Sequence, residues 1–158
     1  MTSFPDAFVY TLNAQLKAAL HGYPDLIAQG FFTRPLRPDD PTLSVACFES
    51  TMEPIEYEIG SSINPSLMRW HVIAQALVKS VDEVDGRATR SKLLQRVRAA
   101  LFSSGVQTAL MTLRDSDTQE RVTKFRMRRI TFASGDGPRQ GEMFFLGQVE
   151  IFFETEYH

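Results

Sequence analysis

The segment TMEPIEYEIG, residues 51–60, brings carboxylates close together in the sequence, as a general acid and a general base would require. Glu56 and Glu58, however, are also the polar alternates of a half-exposed strand. The acidic run VDEVDG, residues 81–86, precedes a helical pattern, where carboxylates favour the positive end of the helix dipole. Both groups of acids are therefore explained without catalysis.

The histidines and the cysteine do not form a site either. His21, His71 and His158 fall in three separate segments, which is not the spacing of metal ligands. The single cysteine, Cys47, lies in the apolar run LSVACF, which predicts a buried thiol in a reducing compartment. The sequence has no phosphate-binding loop, dinucleotide fingerprint or G-x-S-x-G elbow. We therefore predict that the protein is not an enzyme and binds no metal or cofactor.

Cationic side chains form two clusters, at residues 87–98 and 121–129, and the first contains no acid. One interpretation is a solvated face of a helix and a strand. If the clusters converge, the alternative is a surface for phosphates or for an acidic neighbour, and the glutamates of the terminal strand in an adjacent copy could be that neighbour. Aromatic residues are not interleaved with the arginines, and the net charge is −2, so sequence-specific nucleic-acid recognition is not predicted.

Size and composition indicate one globular domain over residues 1–158. The chain is 43% apolar and 23% charged, as ordinary globular proteins are. The N-terminus lacks the pattern of a targeting segment, and no stretch approaches the roughly 18 apolar residues of a membrane span. Synthesis in the cytoplasm, without membrane association, is the expectation.

Apolar periodicity predicts the elements that would position these residues. Helices are predicted over 5–21 and 89–102, the second with Leu93, Leu94 and Val97 in its apolar stripe. Residues 106–117 fit a helix or a strand, and we favour a short helical or irregular connection. The proline-rich segment 34–41 predicts an extended surface connection. Alternating patterns predict strands over residues 43–49, 54–61 and 68–80.

The last quarter of the chain predicts a long β-hairpin. The pattern KFRMRRITF changes phase near Arg128 and Arg129, which indicates a β-bulge. Residues 134–141 are rich in glycine and proline and predict the hairpin connection. A strand over 147–157 would then turn its apolar residues, Val149, Ile151, Phe153 and Tyr157, towards the helices. The fold class is therefore α+β, an antiparallel or mixed sheet with two main helices packed on one face.

Apolar residues also occur on the sheet face that the helices leave uncovered. They are interspersed with charged residues on two strands and comprise Ile73, Leu77, Phe144, Leu146 and Phe152. Isolated apolar residues on a nominally wet face suggest burial against something else. A partner chain is our first interpretation, and a loop of the same chain is the alternative.

The order of these elements resembles the tail terminator proteins of lambda-like long-tailed phages. The segment WHVIAQALVKSVDEVDGRATRSKLLQRVRAALF resembles the family's strand, acidic loop and amphipathic helix. The terminal GQVEIFFETEYH resembles its closing strand, which also alternates apolar and acidic residues. This chain departs from the family by a longer N-terminal connection and by its arginine-rich strand at 121–129.

The resemblance implies a structural virion protein rather than an enzyme. Such a protein forms a homomeric ring, typically of six copies, that caps the tail tube, stops its polymerisation and presents the surface for head-tail joining. Its implied partners are its own copies, the tail tube protein, the head-side connector or stopper protein, and genomic DNA that passes through the lumen without sequence recognition. The closing strand would lie at a subunit boundary. The alternatives are another tail tube, neck or tail completion component, and a basic nucleic-acid-binding domain.

A ring of this kind needs surface residues that contact neighbours or the tube. Our candidates come from the basic clusters, the hairpin connection and the uncovered sheet face. They are Arg96, Arg98, Arg126, Arg128, Gly135, Asp136, Arg139 and Phe152.

Overall fold

The computed structural model describes residues 4–55, 67–115, 117 and 119–156, apart from the side chains of residues 4–7 and 54. Within these residues the helices are α1 (Phe4–Ala19), α2 (Pro24–Gln29), α3 (Glu83–Leu101) and α4 (Ser104–Met111). The strands are β1 (Phe31–Phe32), β2 (Leu43–Pro54), β3 (Leu67–Ser80), β4 (Arg121–Asp136) and β5 (Met143–Glu156).

The strands form one sheet in the order β1-β2-β3-β5-β4. β1 runs parallel to β2, and all other neighbours in the sheet are antiparallel. The α+β prediction is confirmed, and the predicted hairpin is the β4–β5 pair, which extends from Arg121↔Glu156 to Asp136↔Met143. The closing strand β5 is hydrogen-bonded on both sides and β4 is the edge strand, so β5 could contribute to a subunit boundary only through its side chains and not through its backbone.

The core lies between the helices and one face of the sheet. The predicted inward residues of the closing strand, Val149, Ile151 and Phe153, are all buried there. Phe8 of α1 stacks on Phe153 with the ring centroids 3.4 Å apart, and Trp70 of β3 lies parallel to the same ring at 5.8 Å. Burial of such large apolar side chains is the main stabilising contribution to a fold of this size.

Helix α3 begins at Glu83, earlier than the predicted Thr89, because its acidic first turn is part of the helix. Asp82 is the N-cap, and its side chain accepts a hydrogen bond of 3.1 Å from the backbone N–H of Asp85. Gly86 then allows the helix to approach the sheet closely, since a Cβ there would lie 2.3 Å from the Phe145 ring. The acidic run therefore starts the helix, as its electrostatics suggested.

The predicted β-bulge in the arginine-rich strand is present. The pairing of β4 with β5 shifts register between Met127 and Arg129, so Arg128 is the extra residue. A second shift follows Val122, and β2 has one between Glu49 and Thr51. Bulges bend a strand and are frequent at sheet edges, where they interrupt regular pairing.

Several elements differ from the sequence prediction. The short helix α2 and the short strand β1 were not predicted, and β2 is longer than the predicted strand at 43–49. Of the predicted strand at 54–61, only residues 54 and 55 are described, and the rest lies outside the described residues. The ambiguous segment at 106–117 begins within the short helix α4, in agreement with the favoured interpretation.

Candidate assembly surface

We call the sheet face opposite the helices the outer face. On β3 it carries alternate residues from Arg69 to Lys79, and on β5 alternate residues from Phe144 to Glu156. The two strands therefore place Leu77 opposite Leu146, and His71 opposite Phe152. The apolar residues that the sequence placed on this face do lie on it.

A loop of the same chain covers one half of the outer face. The backbone N–H of Leu36 donates a hydrogen bond of 2.8 Å to Gln75 Oε1, and Gln75 Nε2 donates one of 2.8 Å to Gln148 Oε1. Gln75 is 7% exposed and the adjacent Leu77 is 2% exposed. In this half the alternative interpretation, a loop rather than a partner chain, is therefore correct.

An internal ion pair holds this loop in shape. Arg34 binds Asp40 through two hydrogen bonds of 2.7 Å and 3.0 Å, and the backbone N–H of Arg37 donates a third of 2.7 Å to the same carboxylate. The bond from Arg34 is the main reason that the pKa of Asp40 is lowered. A bidentate arginine contact with a nearly buried carboxylate fixes the loop geometry.

The other half of the outer face stays open. It forms a concavity of about 520 Å³ whose wall includes His71, Ile73 and Phe152, with Glu53 and Arg128 at its rim. His71 Nε2 lies 3.1 Å from Glu53 Oε1, and this contact is the main cause of the lowered pKa of Glu53. No part of the described chain fills the concavity, so Ile73 and Phe152 remain half-exposed in this half.

The glutamates of β5 pair with cations of their own sheet. Glu154 accepts a 3.0 Å contact from Arg69 and a 3.6 Å contact from Lys124. Glu150 is bound by Arg129, whose hydrogen bond is the main cause of the lowered pKa of Glu150. The suggestion that these glutamates serve an adjacent copy is therefore not needed to explain them.

The two free edges of the sheet carry opposite charge. One edge is β4, with exposed cations over residues 121–129, and we call it the basic edge. The other is the part of β2 beyond its pairing with β1, residues 47–54, where Glu49 and Glu53 are exposed, and we call it the acidic edge. Arg126 and Arg128 lie within ion-pair distance of no acid among the described residues, although Arg128 is near enough to Glu53 and Glu150 to help lower the pKa of both carboxylates.

An apolar groove separates β4 from helix α3. Met127 and Phe132 face the helix side but are 43% and 59% exposed, because α3 does not extend over the edge strand. Arg98 lines this groove, and the guanidinium of Arg90 lies 4.5 Å from the centre of the Phe132 ring. Arginines of both predicted clusters thus flank the same strand, but on opposite faces of the sheet.

The remaining candidates do not form one site. Arg96 lies over Tyr23, 5.6 Å from its ring centre, on another side of α3. Gly135 lies under the Phe144 ring, where a Cβ would be 2.8 Å from a ring carbon. Asp136 ends β4 and Arg139 is in the exposed tip of the hairpin. The candidates therefore divide among the groove, the outer face, the tip and, for Arg96, a separate side of α3.

The described residues offer little for catalysis. No three histidine, cysteine or acidic side chains among them are placed to hold a metal ion. Cys47 is buried, and burial raises the pKa of its thiol to about 12. No helix in the described part of the chain is both long and apolar enough to cross a membrane.

Sequence reasoning missed two features of this surface. The Arg34–Asp40 pair and the contact of Leu36 with Gln75 lie in a segment without periodicity, so no pattern could have indicated them. Asn13 of α1 is buried at the end of the sheet near the acidic edge, and its Oδ1 has no hydrogen-bond partner among the described residues. A polar residue among apolar helix positions was the only available signal for Asn13.

The chain resembles known proteins in structure rather than in sequence. No known protein family matches the chain, and no curated protein is similar to it in sequence. The chain is similar in structure to a chain in the virion of a native gene transfer agent particle. The similarity covers 91% of this chain and 93% of that chain, with 11% identity and a TM-score of 0.42. A similarity of this degree assigns no function to the chain, so a function must be inferred from the surface features described above.

Proposed function

We propose that the protein is a structural virion component whose copies join head to tail into a closed ring. The observation that carries the proposal is the opposite charge of the two free sheet edges. Arg126 and Arg128 stand exposed on the basic edge, and Glu49 and Glu53 on the acidic edge. Opposite charges on two different surfaces of one chain favour contact between unlike surfaces of two copies.

The charges also act against the simplest competing arrangement. In a two-fold dimer formed through one edge, like charges would face each other across the interface and weaken it. Pairing of the basic edge with the acidic edge avoids that repulsion. A contact between unlike surfaces continues from copy to copy and either closes into a ring or grows as a filament.

The ring would cap the tail tube of a long-tailed phage as a tail terminator. This finer role is supported by the resemblance in element order: the long β3, α3 beginning at an acidic turn, and the β4–β5 hairpin. The ring, most simply a hexamer, would contact tube protein on one side and the head-side connector or stopper on the other. DNA would pass through its lumen, and the protein would be assembled in the host cytoplasm and retained at the virion neck. A tail tube or completion protein is the alternative, since an open contact gives filaments.

A nucleic-acid-binding monomer has less support. Lys124 and Arg129 are already paired with Glu154 and Glu150 on the same sheet. A surface that neutralises phosphates would need those cations to be available.

The proposal is tested by charge reversal at the basic edge. Native mass spectrometry and negative-stain microscopy would compare the wild type with the double variant Arg126→Glu, Arg128→Glu, alone and with tail tubes present. The double variant should still fold, because both arginines are exposed and neither lies within ion-pair distance of an acid in the described chain, but it should form severalfold fewer rings. Adding Glu53→Arg, on the outer side of the acidic edge like Arg126, should recover part of the ring yield, and higher salt should lower the wild-type yield.

Arg96→Glu is the matched control, since Arg96 is exposed but remote from both edges. It should leave ring formation unchanged. Closed rings of fixed mass support a terminator, and filaments support a tube protein. A wild type that stays monomeric at tens of micromolar with tube ends present would refute self-assembly, and a salt-sensitive shift of DNA by that monomer would favour nucleic-acid binding.

A further inference from the structure

A slot of about 300 Å³ lies beside the acidic edge, between α1 and β2. Val9, Tyr10 and Asn13 form its helix wall, while Thr33, Phe48 and Glu49 form the strand side. The slot begins where β1 ends. Phe32 is the last residue of β1 and pairs with Ala46, and the chain then leaves the sheet at Thr33. The slot is therefore the continuation of a strand position that this chain fills for only two residues.

The backbone beside this slot lacks a partner. From Cys47 to the end of β2, no described strand pairs with the side of β2 that faces away from β3. These positions, 47–54, span about 25 Å at the usual rise of a strand. Unpaired strand edges readily accept another strand, and native proteins generally cover or block them. The edge therefore offers backbone donors and acceptors to an added strand.

Asn13 gives the slot an unmet hydrogen-bonding group. The residue is 8% exposed, lines the slot, and its Oδ1 has no partner among the described residues. A buried side-chain oxygen without a donor is uncommon in native proteins. Tyr10 at the same rim is 74% exposed, so it presents an aromatic ring beside Asn13. Both side chains are suited to an occupant that brings a donor and apolar surface.

We propose that the edge strand β4 of a second copy occupies this slot and pairs with the acidic edge. The inference rests on the proposed self-assembly and specifies its contact. Charge selects β4, because the outer-side cations of residues 121–129 would approach Glu53, which lies on the outer side of the acidic edge opposite Arg69. Length also fits, since β4 extends from Arg121 to Asp136 and, among the described residues, only Arg121 at its start is bridged on the outer edge, to Arg114.

Topology fixes the direction of this pairing. β3 is antiparallel to β2 and to β5, and β4 is antiparallel to β5, so β4 and β2 run in opposite directions. Copies related by rotation about an axis along the strands keep these directions, and the new pair is antiparallel. The helix-covered faces of the two neighbouring sheets then lie on the same side of the joined sheet. Met127 and Phe132 of one copy would lie towards Tyr10 and Val9 of the next, which covers the exposed apolar residues of both edges.

Cysteine cross-linking tests the pairing directly. Thr51 is exposed on the acidic edge and faces the outer side, since it pairs with His71. Protein carrying Thr51→Cys would be mixed with single cysteine variants of β4 and oxidised. Native Cys47 is buried with its thiol pKa raised to about 12, so it gives little background reaction. The β4 scan uses outer-side positions Arg126, Arg129, Thr131 and Ala133 and helix-side positions Phe125, Met127, Ile130 and Phe132.

Cross-linking should alternate along β4. A disulfide needs both Cβ atoms on the same face and about 4 Å apart, so outer-side cysteines should react severalfold more than helix-side cysteines. Glu49→Cys, which lies on the helix side of the same edge, should show the inverse preference. Opposite preferences of the two cysteines are expected from strand pairing but not from random collision of the proteins. Equal reaction at all positions would overturn the proposal.

An Asn13 variant gives an independent readout. Asn13→Leu removes the unpaired oxygen, so the monomer should unfold at the same or a higher denaturant concentration than the wild type. Ring formation should nevertheless need severalfold more protein, because the slot loses its acceptor. Gln15→Leu, the same type of change at a residue of α1 that does not line the slot, should leave assembly unchanged. Unchanged assembly in Asn13→Leu would count against the slot.

The outcomes distinguish this inference from the proposed function. Rings that form without alternating cross-links would overturn the slot while leaving the ring intact. A protein that neither forms rings nor cross-links would overturn both. Rings whose cross-links alternate along β4, with opposite preferences for Thr51→Cys and Glu49→Cys, would support both the ring and the slot.

Discussion

Phe152 and Phe153 are neighbours in β5, yet the sheet gives them opposite environments. Phe153 is buried on the helix side, stacked on Phe8 and parallel to Trp70. Phe152 is half-buried on the outer face, where the guanidinium of Arg69 lies 5.2 Å from its ring centre. The helix side is thus a closed core, whereas the open half of the outer face leaves aromatic surface available for another molecule. One strand can therefore contribute to folding and to assembly through alternate residues.

The largest effect on stability is expected from a substitution in the core on the helix side of the sheet. Phe153→Ser should lower the free energy of unfolding by about 3 to 5 kcal/mol, because it leaves a cavity and buries a hydroxyl in the core. Phe152→Ser should cost the monomer about 2 kcal/mol less, since its site is partly solvated. Denaturant unfolding of the two monomers measures this difference, and ring yield should fall in Phe152→Ser despite its milder effect on folding. A larger loss for Phe152→Ser would invert the roles of the two faces.

A second prediction compares a buried and an exposed residue of helix α3. Leu94 is buried and its side chain fills the space above Gly147, where a Cβ would lie 2.7 Å from Leu94 Cδ2. Leu94→Ala should therefore lower the free energy of unfolding by about 2 to 5 kcal/mol. Arg96→Ala, two residues along the same helix and exposed, should stay within about 0.5 kcal/mol. Equal losses in denaturant unfolding would contradict the helix register.

The third prediction concerns the covered half of the outer face. Asp40→Asn should destabilise the protein by about 1 to 3 kcal/mol at pH 7, because Arg34 and the Arg37 N–H lose a charged acceptor in a nearly buried site. The pKa of Asp40 is lowered in the fold, so the charged form stabilises above the unfolded-state pKa. That contribution is lost as the pH falls below about 4 and through the lower folded-state value.

Unfolding measured as a function of pH checks the direction in which the stabilising contribution of Asp40 changes. The stability difference between the wild type and Asp40→Asn should shrink as the pH falls below about 4. Glu150→Gln is the control for a more exposed pair on the open half, and it should give a smaller difference at pH 7. A difference for Asp40→Asn that grows towards acid pH would contradict the assignment.

The faces of the strands were predictable from sequence, whereas their neighbours were not. Alternation in β5 shows which residues share a face, and the phase change at Arg128 revealed a bulge, because a slip of one residue exchanges the two faces. Nothing in that alternation states that β5 lies between β3 and β4. Long-range strand order depends on packing between distant segments, which a local pattern does not encode.

The same distinction applies to the candidate surface. Phe152, Arg126 and Arg128 were assigned to exposed positions by periodicity, and they lie near one another on the open side. The loop that covers Gln75 has three prolines and no period, so its path depends on tertiary hydrogen bonds such as that from Leu36. Sequence reasoning therefore found the residues of an open face but could not show that half of it is covered by the chain itself.

The smallest effect on folding is expected at the tip of the β4–β5 hairpin. β4 continues to Asp136, so the connection is shorter than the predicted 134–141 and closes through a 2.7 Å hydrogen bond from the Gly137 N–H to the Glu142 carbonyl. Gly141 has a φ of +77°, which favours glycine in this turn. Residues 138–140 at the tip are exposed and have little apolar surface to hold them against the sheet.

Replacing residues 138–141 with a two-residue Asn-Gly turn should therefore change the free energy of unfolding by less than about 0.5 kcal/mol, since short turns of this type suit the twist of a hairpin. The tip is the exposed end of the β4–β5 hairpin, and under the proposed function a tube or a neighbouring copy would contact it there. Capping of tail tubes, measured by tube length in electron micrographs, should consequently be impaired although the subunit still folds. Arg139→Ala separates the charge at the tip from its length. Normal tube capping by the shortened variant would assign the tip no role in docking, while a loss of stability of several kcal/mol would show that the hairpin end belongs to the folded core rather than to the assembly surface.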